Sequence, residues 1–163
     1  MPDIKFASSR DGASLVTLSE AIRQGLAPDG GLYVPTQLPQ VEREAFDGST
    51  RLAEIARRAL DGFFAGDRLQ PLLGQIADAA LDFPAPTTAV PKCPNPLFVL
   101  ELFHGPTAAF KDFGARFLAE TLERLQTGSE QPMTILVATS GDTGGAVAAA
   151  FHLRPWVRIV VLY

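Results

Sequence analysis

Between Phe83 and Leu97 lie five prolines, Pro84, Pro86, Pro91, Pro94 and Pro96, and no other stretch restricts the fold as strongly. Each fixes φ and removes an N–H, so this density excludes helix and central strand and predicts an extended connection over 84–96. The pattern differs on its two sides. Before it, "TLSEAIRQGLAPDGGLYVP" carries Thr17 and, three residues on, Glu20, the spacing of a capping box, and "PDGG" then stops and turns the chain. Helical spacing returns in "STRLAEIARRALDGFF", where Leu52, Ile55, Ala56, Ala59, Leu60 and Phe63 form one stripe, and again after Pro71 in "PLLGQIADAALDF". After the prolines, "LFVLEL", a helix containing Lys111, "MTILVA", the turn "TSGDTGG", the helix "AVAAAF" and "VRIVVLY" alternate. Short apolar runs alternating with helices predict parallel strands joined by right-handed crossovers. The fold class is therefore α/β, with a mostly helical N-terminal unit over 1–83 followed by the start of a parallel-sheet βαβ domain over 97–163.

Composition removes several function classes. With 47% hydrophobic and 20% charged residues and a formal net charge of -4, the chain is not of the basic kind that binds nucleic acid, and no nucleic-acid partner is expected. No apolar run approaches 18 residues and "MPDIKFASSR" lacks the apolar segment of a signal peptide, so neither membrane nor export is expected, and a cytoplasmic location is. One cysteine, Cys93, and two histidines fit a reducing compartment and predict no metal site. Cys93, in "VPKCPNP" with no neighbouring base, reads as structural rather than as a nucleophile. Tyr163 falls in or at the end of an apolar strand, and a parallel strand needs covering on both faces, which predicts a fragment of a longer, here truncated, domain.

Two stretches carry chemistry. In "FHGPTAAFKDF", if Thr107 caps a helix running to about residue 126, then Phe117, Leu118, Leu122 and Leu125 share one arc, with Arg116, Glu120, Glu123 and Arg124 opposite. Lys111 falls within the apolar arc. An amine placed inward at the positive end of a helix loses hydration and opposes the macrodipole, and both effects favour the neutral, nucleophilic form that imine chemistry needs. The residues alone leave a second possibility, a lysine that snorkels out or pairs with Asp112 or Glu101. Phe113 falls near the polar side, either folding over the helix start or flanking a bound ring.

The second stretch, "ATSGDTGGAVAAAF", follows a strand and opens a helix. Gly141, Gly144 and Gly145 let backbone N–H groups approach a ligand, the Ser140 and Thr143 hydroxyls donate, and a helix N-terminus favours an anion such as a carboxylate or phosphate. It is neither the dinucleotide fingerprint nor a P-loop. A plain tight turn capped by Ser140 or Asp142 is the other reading.

Together, "ELFHGPTAAFKDF" and "ATSGDTGG" resemble the threonine synthases, pyridoxal-phosphate enzymes of fold type II, and "LSEAIRQGLAPDGGLYVP" looks like that family's N-terminal segment. The resemblance runs through the whole chain and implies the fold type II kind of α/β domain. It implies that Lys111 forms the Schiff base with pyridoxal 5'-phosphate and later shuttles protons, and that Phe110 and Asp142 contact the cofactor. Ser140, Gly141, Thr143 and Gly144 match the loop that receives the amino-acid carboxylate. Many relatives carry Asn where Asp142 stands. The implied reaction converts O-phospho-L-homoserine and water to L-threonine and phosphate, the last step of threonine biosynthesis. The nearest competing readings are another pyridoxal-phosphate lyase, such as a threonine synthase-like phospholyase or a dehydratase, and a non-catalytic anion-binding module. By the same resemblance the loop gripping the cofactor phosphate comes from sequence beyond Tyr163, so this chain alone is expected neither to hold the cofactor tightly nor to turn over. His104 matches the motif without an implied role and reads as a histidine satisfied by backbone.

Overall fold

The computed structural model describes residues 3–12, 14–126, 132–139 and 141–162. It divides into two compact units, Met1–Asp78 with Thr121–Thr127, and Ala79–Glu120 with Gly128–Tyr163.

In the first unit β1 (Phe6–Ser8) pairs antiparallel with β2 (Leu15–Val16) on one side and with β3 (Tyr33–Pro35) on the other. This small sheet is absent from the sequence reading, because strands of two or three residues are too short to display an alternation. Between β2 and β3 runs α1 (Leu18–Gln24). It begins with the predicted capping box: the Glu20 N–H donates to Thr17 Oγ1 at 3.3 Å, and the Thr17 N–H donates to Glu20 Oε2 at 2.8 Å. It ends at Gly25 with φ 72°, a left-handed conformation that favours glycine. Asp29, in the predicted turn, accepts from the Ser8 hydroxyl at 2.7 Å and from the Gly31 N–H at 2.8 Å, fastening the turn to the end of β1.

The helix α2 (Leu52–Phe64) departs from its predicted stripe. Ala53, Gly62 and Phe64 are its buried residues, whereas Ile55 is exposed. Pro39 lies close against the helix at Gly62, where a Cβ would stand 2.4 Å from the proline ring. Pro71 sits in a single 3-10 turn, Gln70–Leu72, leading into α3 (Leu73–Ala80). Leu69, Leu73, Ile76 and Ala77 form the deepest part of this core. Asp67 accepts from the N–H groups of Ser19 and Leu69, both at 2.9 Å, and so joins the start of α1 to this core.

In the second unit the proline-rich stretch contains β4 (Thr87–Ala89), which pairs antiparallel with β5 (Phe98–Leu100). A two-stranded hairpin consists only of edges, the positions where prolines are tolerated in sheets. Then come α4 (Lys111–Leu125), β6 (Met133–Ala138), α5 (Asp142–Phe151) and β7 (Val157–Leu162). The strands β6 and β7 pair in parallel, Met133 opposite Val157 through Ala138 opposite Leu162, with α5 as the crossover. The predicted α/β class and βαβ unit are thus present. Gly144 shows how closely α5 lies on the sheet: a Cβ there would stand 2.6 Å from Thr139 Cγ2 and 3.3 Å from Val161 Cγ1. Arg154, just past α5, donates to the Ala150 carbonyl at 2.9 Å and pairs with Glu120 of α4 at 2.5 Å, tying the later part of α4 to the end of α5.

Candidate functional site

The helix bearing Lys111 starts later than its sequence predicts, and the side chain that organises its start is Asp112. Thr107 does not cap the helix; its N–H and hydroxyl donate to the Asp112 carboxylate at 2.9 and 2.7 Å. Asp112 is only 1% exposed, and those donors satisfy a carboxylate whose burial would otherwise be costly. Gly105 completes the arrangement, since a Cβ there would lie 2.5 Å from Asp112 Oδ2. Ala108 turns the chain with φ 56°. Asp112 therefore folds "GPTAAFKD" into a compact turn ahead of α4.

This shifts the buried arc. Asp112, Ala119, Leu122 and Leu125 are buried, whereas Leu118, predicted to be inward, is 41% exposed. Lys111 shares a side with Gly114 and Leu118 and is half-buried rather than inward. Its Nζ lies 3.5 Å from the centroid of the Phe110 ring. Both carboxylates that the sequence offered as ion-pair partners are otherwise engaged: Asp112 with Thr107, and Glu101 with the Thr88 hydroxyl at 2.7 Å and His104 Nε2 at 2.6 Å. Among the described residues Lys111 has no ion-pair partner. Phe113 is also accounted for, packing edge-on against Phe83 with centroids 4.9 Å apart, so it does not flank the amine. Phe110 does, and it is 59% exposed. Arg116, assigned by periodicity to the solvent side, reaches the end of α3, donating to the carbonyls of Ala80 at 2.7 Å and Ala79 at 2.9 Å.

At the other stretch, Gly141 occupies the N-cap of α5 and no side chain caps the helix. Asp142 is not the cap that the tight-turn reading needs, being the first helical residue and exposed to solvent; the other residue of that reading, Ser140, lies outside the described residues. The amides of Gly144 and Gly145 return to the Gly141 carbonyl at 2.9 and 3.2 Å. The N–H groups of Asp142 and Thr143, first in the helix, have no intrahelical acceptor, as at any uncapped start. The three glycines separate by what surrounds them. Gly144 is required by helix-to-strand packing, whereas a Cβ at Gly141, Gly145 or Gly114 would meet nothing within 4 Å. Packing within this chain therefore explains Gly144 and leaves the other three as open space beside free N–H groups and beside Lys111.

Two separate arrangements result: at the start of α4 an amine without a carboxylate partner among the described residues, with an exposed aromatic ring against it, and at the start of α5 an uncapped helix start behind a strand. Sequence reasoning missed Asp112 and Gly105; the run "HGPT…KD" holds both, but periodicity gives no weight to an inward aspartate.

Comparisons with known proteins converge on one group. A family profile described as "Threonine synthase N terminus" matches residues 5–80. Threonine synthase of Serratia marcescens is 43% identical over 162 residues, covering 98% of this chain and 37% of that protein. Among solved structures the chain is similar to threonine synthase from Escherichia coli, with a TM-score of 0.85 and 39% identity over 98% of this chain and 36% of that one. It is similar as well to PLP-bound threonine synthase from Brucella melitensis, with a TM-score of 0.84 and 37% identity over 98% and 35% of the respective chains. The chain thus spans little more than a third of the length of the relatives it matches.

Proposed function

We propose that this chain, which matches the N-terminal portion of threonine synthases in sequence and in fold, serves a threonine synthase that converts O-phospho-L-homoserine and water to L-threonine and phosphate. The observation that carries this reading is the likeness along 98% of the chain, at 43% identity, to the Serratia protein that bears that name. The cofactor is pyridoxal 5'-phosphate, and the residues present suit it. Lys111 offers an amine for which no carboxylate among the described residues competes, Phe110 an exposed aromatic face beside that amine, and Gly114, Gly141 and Gly145 the unfilled space.

When bound, the cofactor supplies the electron sink for elimination and addition at neighbouring carbons of the substrate. The protein supplies position and protons. Lys111 would hold the cofactor through Nζ, and the same atom could take and give protons. The N–H groups at the start of α5, with the Thr143 and Ser140 hydroxyls, bind the substrate carboxylate, which the positive helix end favours. Gly141 admits the ligand to those amides and Gly144 presses α5 onto the strands so that they keep their place. Asp142 would turn toward the cofactor rather than the carboxylate, since two like charges at one anion site repel. In a parallel α/β fold the crossover helix runs against the strands, so the N-terminal end of α5 belongs at the carboxyl edge of the β6–β7 pair, where such folds bind ligands.

The test uses the protein that carries this chain. Added pyridoxal phosphate should give a visible absorbance band that Lys111→Ala abolishes, and phosphate should be released from O-phospho-L-homoserine. A protein showing neither band nor phosphate release refutes the reading.

A further inference from the structure

His104 has no part in the reading above, and its surroundings differ from those of a histidine satisfied by backbone. Its Nε2 lies 2.6 Å from Glu101 Oε2, and the other carboxylate oxygen accepts from the Thr88 hydroxyl at 2.7 Å. The Thr88 hydroxyl first, and then His104, hold the Glu101 carboxyl below the usual carboxylate range, so Glu101 is an acceptor and the Nε2 position carries the proton. The imidazole also lies against the Phe103 ring, with centroids 4.7 Å apart. A ring fixed at one nitrogen by a carboxylate and along one face by an aromatic has one atom left to exchange protons, Nδ1. The His104 side chain is 32% exposed, so that exchange has access to water.

Its place in the chain ties this device to the helix that carries the amine. Gly105, the next residue, packs against Asp112, and Asp112 adjoins Lys111. The turn locked by Asp112 and Thr107 therefore joins the Glu101–His104 pair directly to the first turn of α4.

We propose that Nδ1 of His104, oriented by Glu101 and Phe103, passes protons between the Lys111 site and solvent. The proposal rests on the reading of Lys111 as the cofactor-bearing amine. Nδ1 takes a proton from an acid of the site as one N–H or O–H bond breaks and one N–H bond forms. Glu101 balances the charge of the resulting imidazolium, and release of that proton to water restores the neutral ring.

Three variants of the cofactor-loaded protein test this. His104→Ala lowers kcat roughly 10²-fold while the visible band of the Lys111-bound cofactor is unchanged, and added imidazole restores part of the loss in proportion to its concentration. His104→Gln keeps an N–H for Glu101 but exchanges no proton, so it is as slow as His104→Ala. If His104→Gln instead works like the unsubstituted protein, the histidine is only a tether and the proposal fails; it fails equally if imidazole rescues nothing. Glu101→Ala lets the neutral ring carry its proton on either nitrogen, which long-range 1H–15N spectra read without cofactor or turnover. Unsubstituted protein with the proton on Nδ1 overturns the proposal even where activity cannot be measured. Absence of the visible band from the unsubstituted protein would instead count against the proposed function itself.

Discussion

Glycines that look alike in the sequence have different work in the structure, and single substitutions separate it. Gly144→Ala forces a methyl group to within 2.6 Å of Thr139 Cγ2, so it should cost about 1–3 kcal/mol, read as a lowered thermal midpoint. Gly145→Ala, one residue later with nothing near its Cβ, should leave stability unchanged or raise it by up to about 1 kcal/mol through helix propensity. Under the proposed function it should still weaken substrate binding by filling space beside the free amides. A Gly145→Ala protein with ordinary substrate affinity would show that the open space is not a ligand site. Asp112 poses the complementary case. Asp112→Ala strands the Thr107 N–H and hydroxyl, for a loss of about 1–3 kcal/mol, together with the turn that leads into Lys111. The lysine was legible from its setting among alanines and phenylalanines. The aspartate was not, because an inward charge is recognisable only from the donors that meet it.

Elements were legible where their signals are local. The box of Thr17 and Glu20 and the strand-turn-helix run of β6 and α5 each follow from neighbouring residues, and each stands where the sequence puts it, whereas α1 stops at Gly25, ahead of the stop expected at "PDGG". What failed depended on partners that the pattern does not mark: the start of α4, delayed by the Thr107–Asp112 bonds, and Arg116, drawn to the carbonyl end of α3. The capping box also sets a pH dependence. Hydrogen bonds from the Thr17 N–H and then its hydroxyl lower the Glu20 carboxyl below its ordinary range. A group whose folded value is depressed contributes stability above its unfolded value and loses it as pH falls through the folded one. Asp29, held low first by the Gly31 N–H and then by the Ser8 hydroxyl, adds to the same trend. Stability of this unit should therefore decline on acidification below about pH 4; Thr17→Ala should lower stability by about 1 kcal/mol, and Glu20→Gln should flatten the decline. An unchanged acid profile in that variant would remove Glu20 from the explanation.

For the molecule as a whole, the informative surface is the side of the β6–β7 sheet opposite α5. Register places Thr134, Leu136 and Ala138 beside Arg158, Val160 and Leu162 on one face, and all six are exposed, Leu136 to 65%. The alternate residues, among them Val161 against Gly144, face α5. Parallel sheets are ordinarily covered on both faces, and two strands alone make a marginal sheet. The apolar residues of β5 are exposed as well. Since the chain spans 37% of the length of its Serratia relative, further strands and helices from a chain of that length are what this face suits. Produced alone, the 163 residues should then bind an apolar dye, self-associate with rising concentration and hold pyridoxal phosphate weakly, with no release of phosphate from O-phospho-L-homoserine. Leu136→Lys decides between a face awaiting cover and one that belongs to solvent. In the isolated chain the added charge should reduce self-association at little cost to the fold, because the site is open. Within a full-length threonine synthase it should cost more than about 2 kcal/mol, because a covered lysine must be buried or must push the cover away. Equal stability of the substituted and unsubstituted full-length proteins would mean that nothing lies on this face.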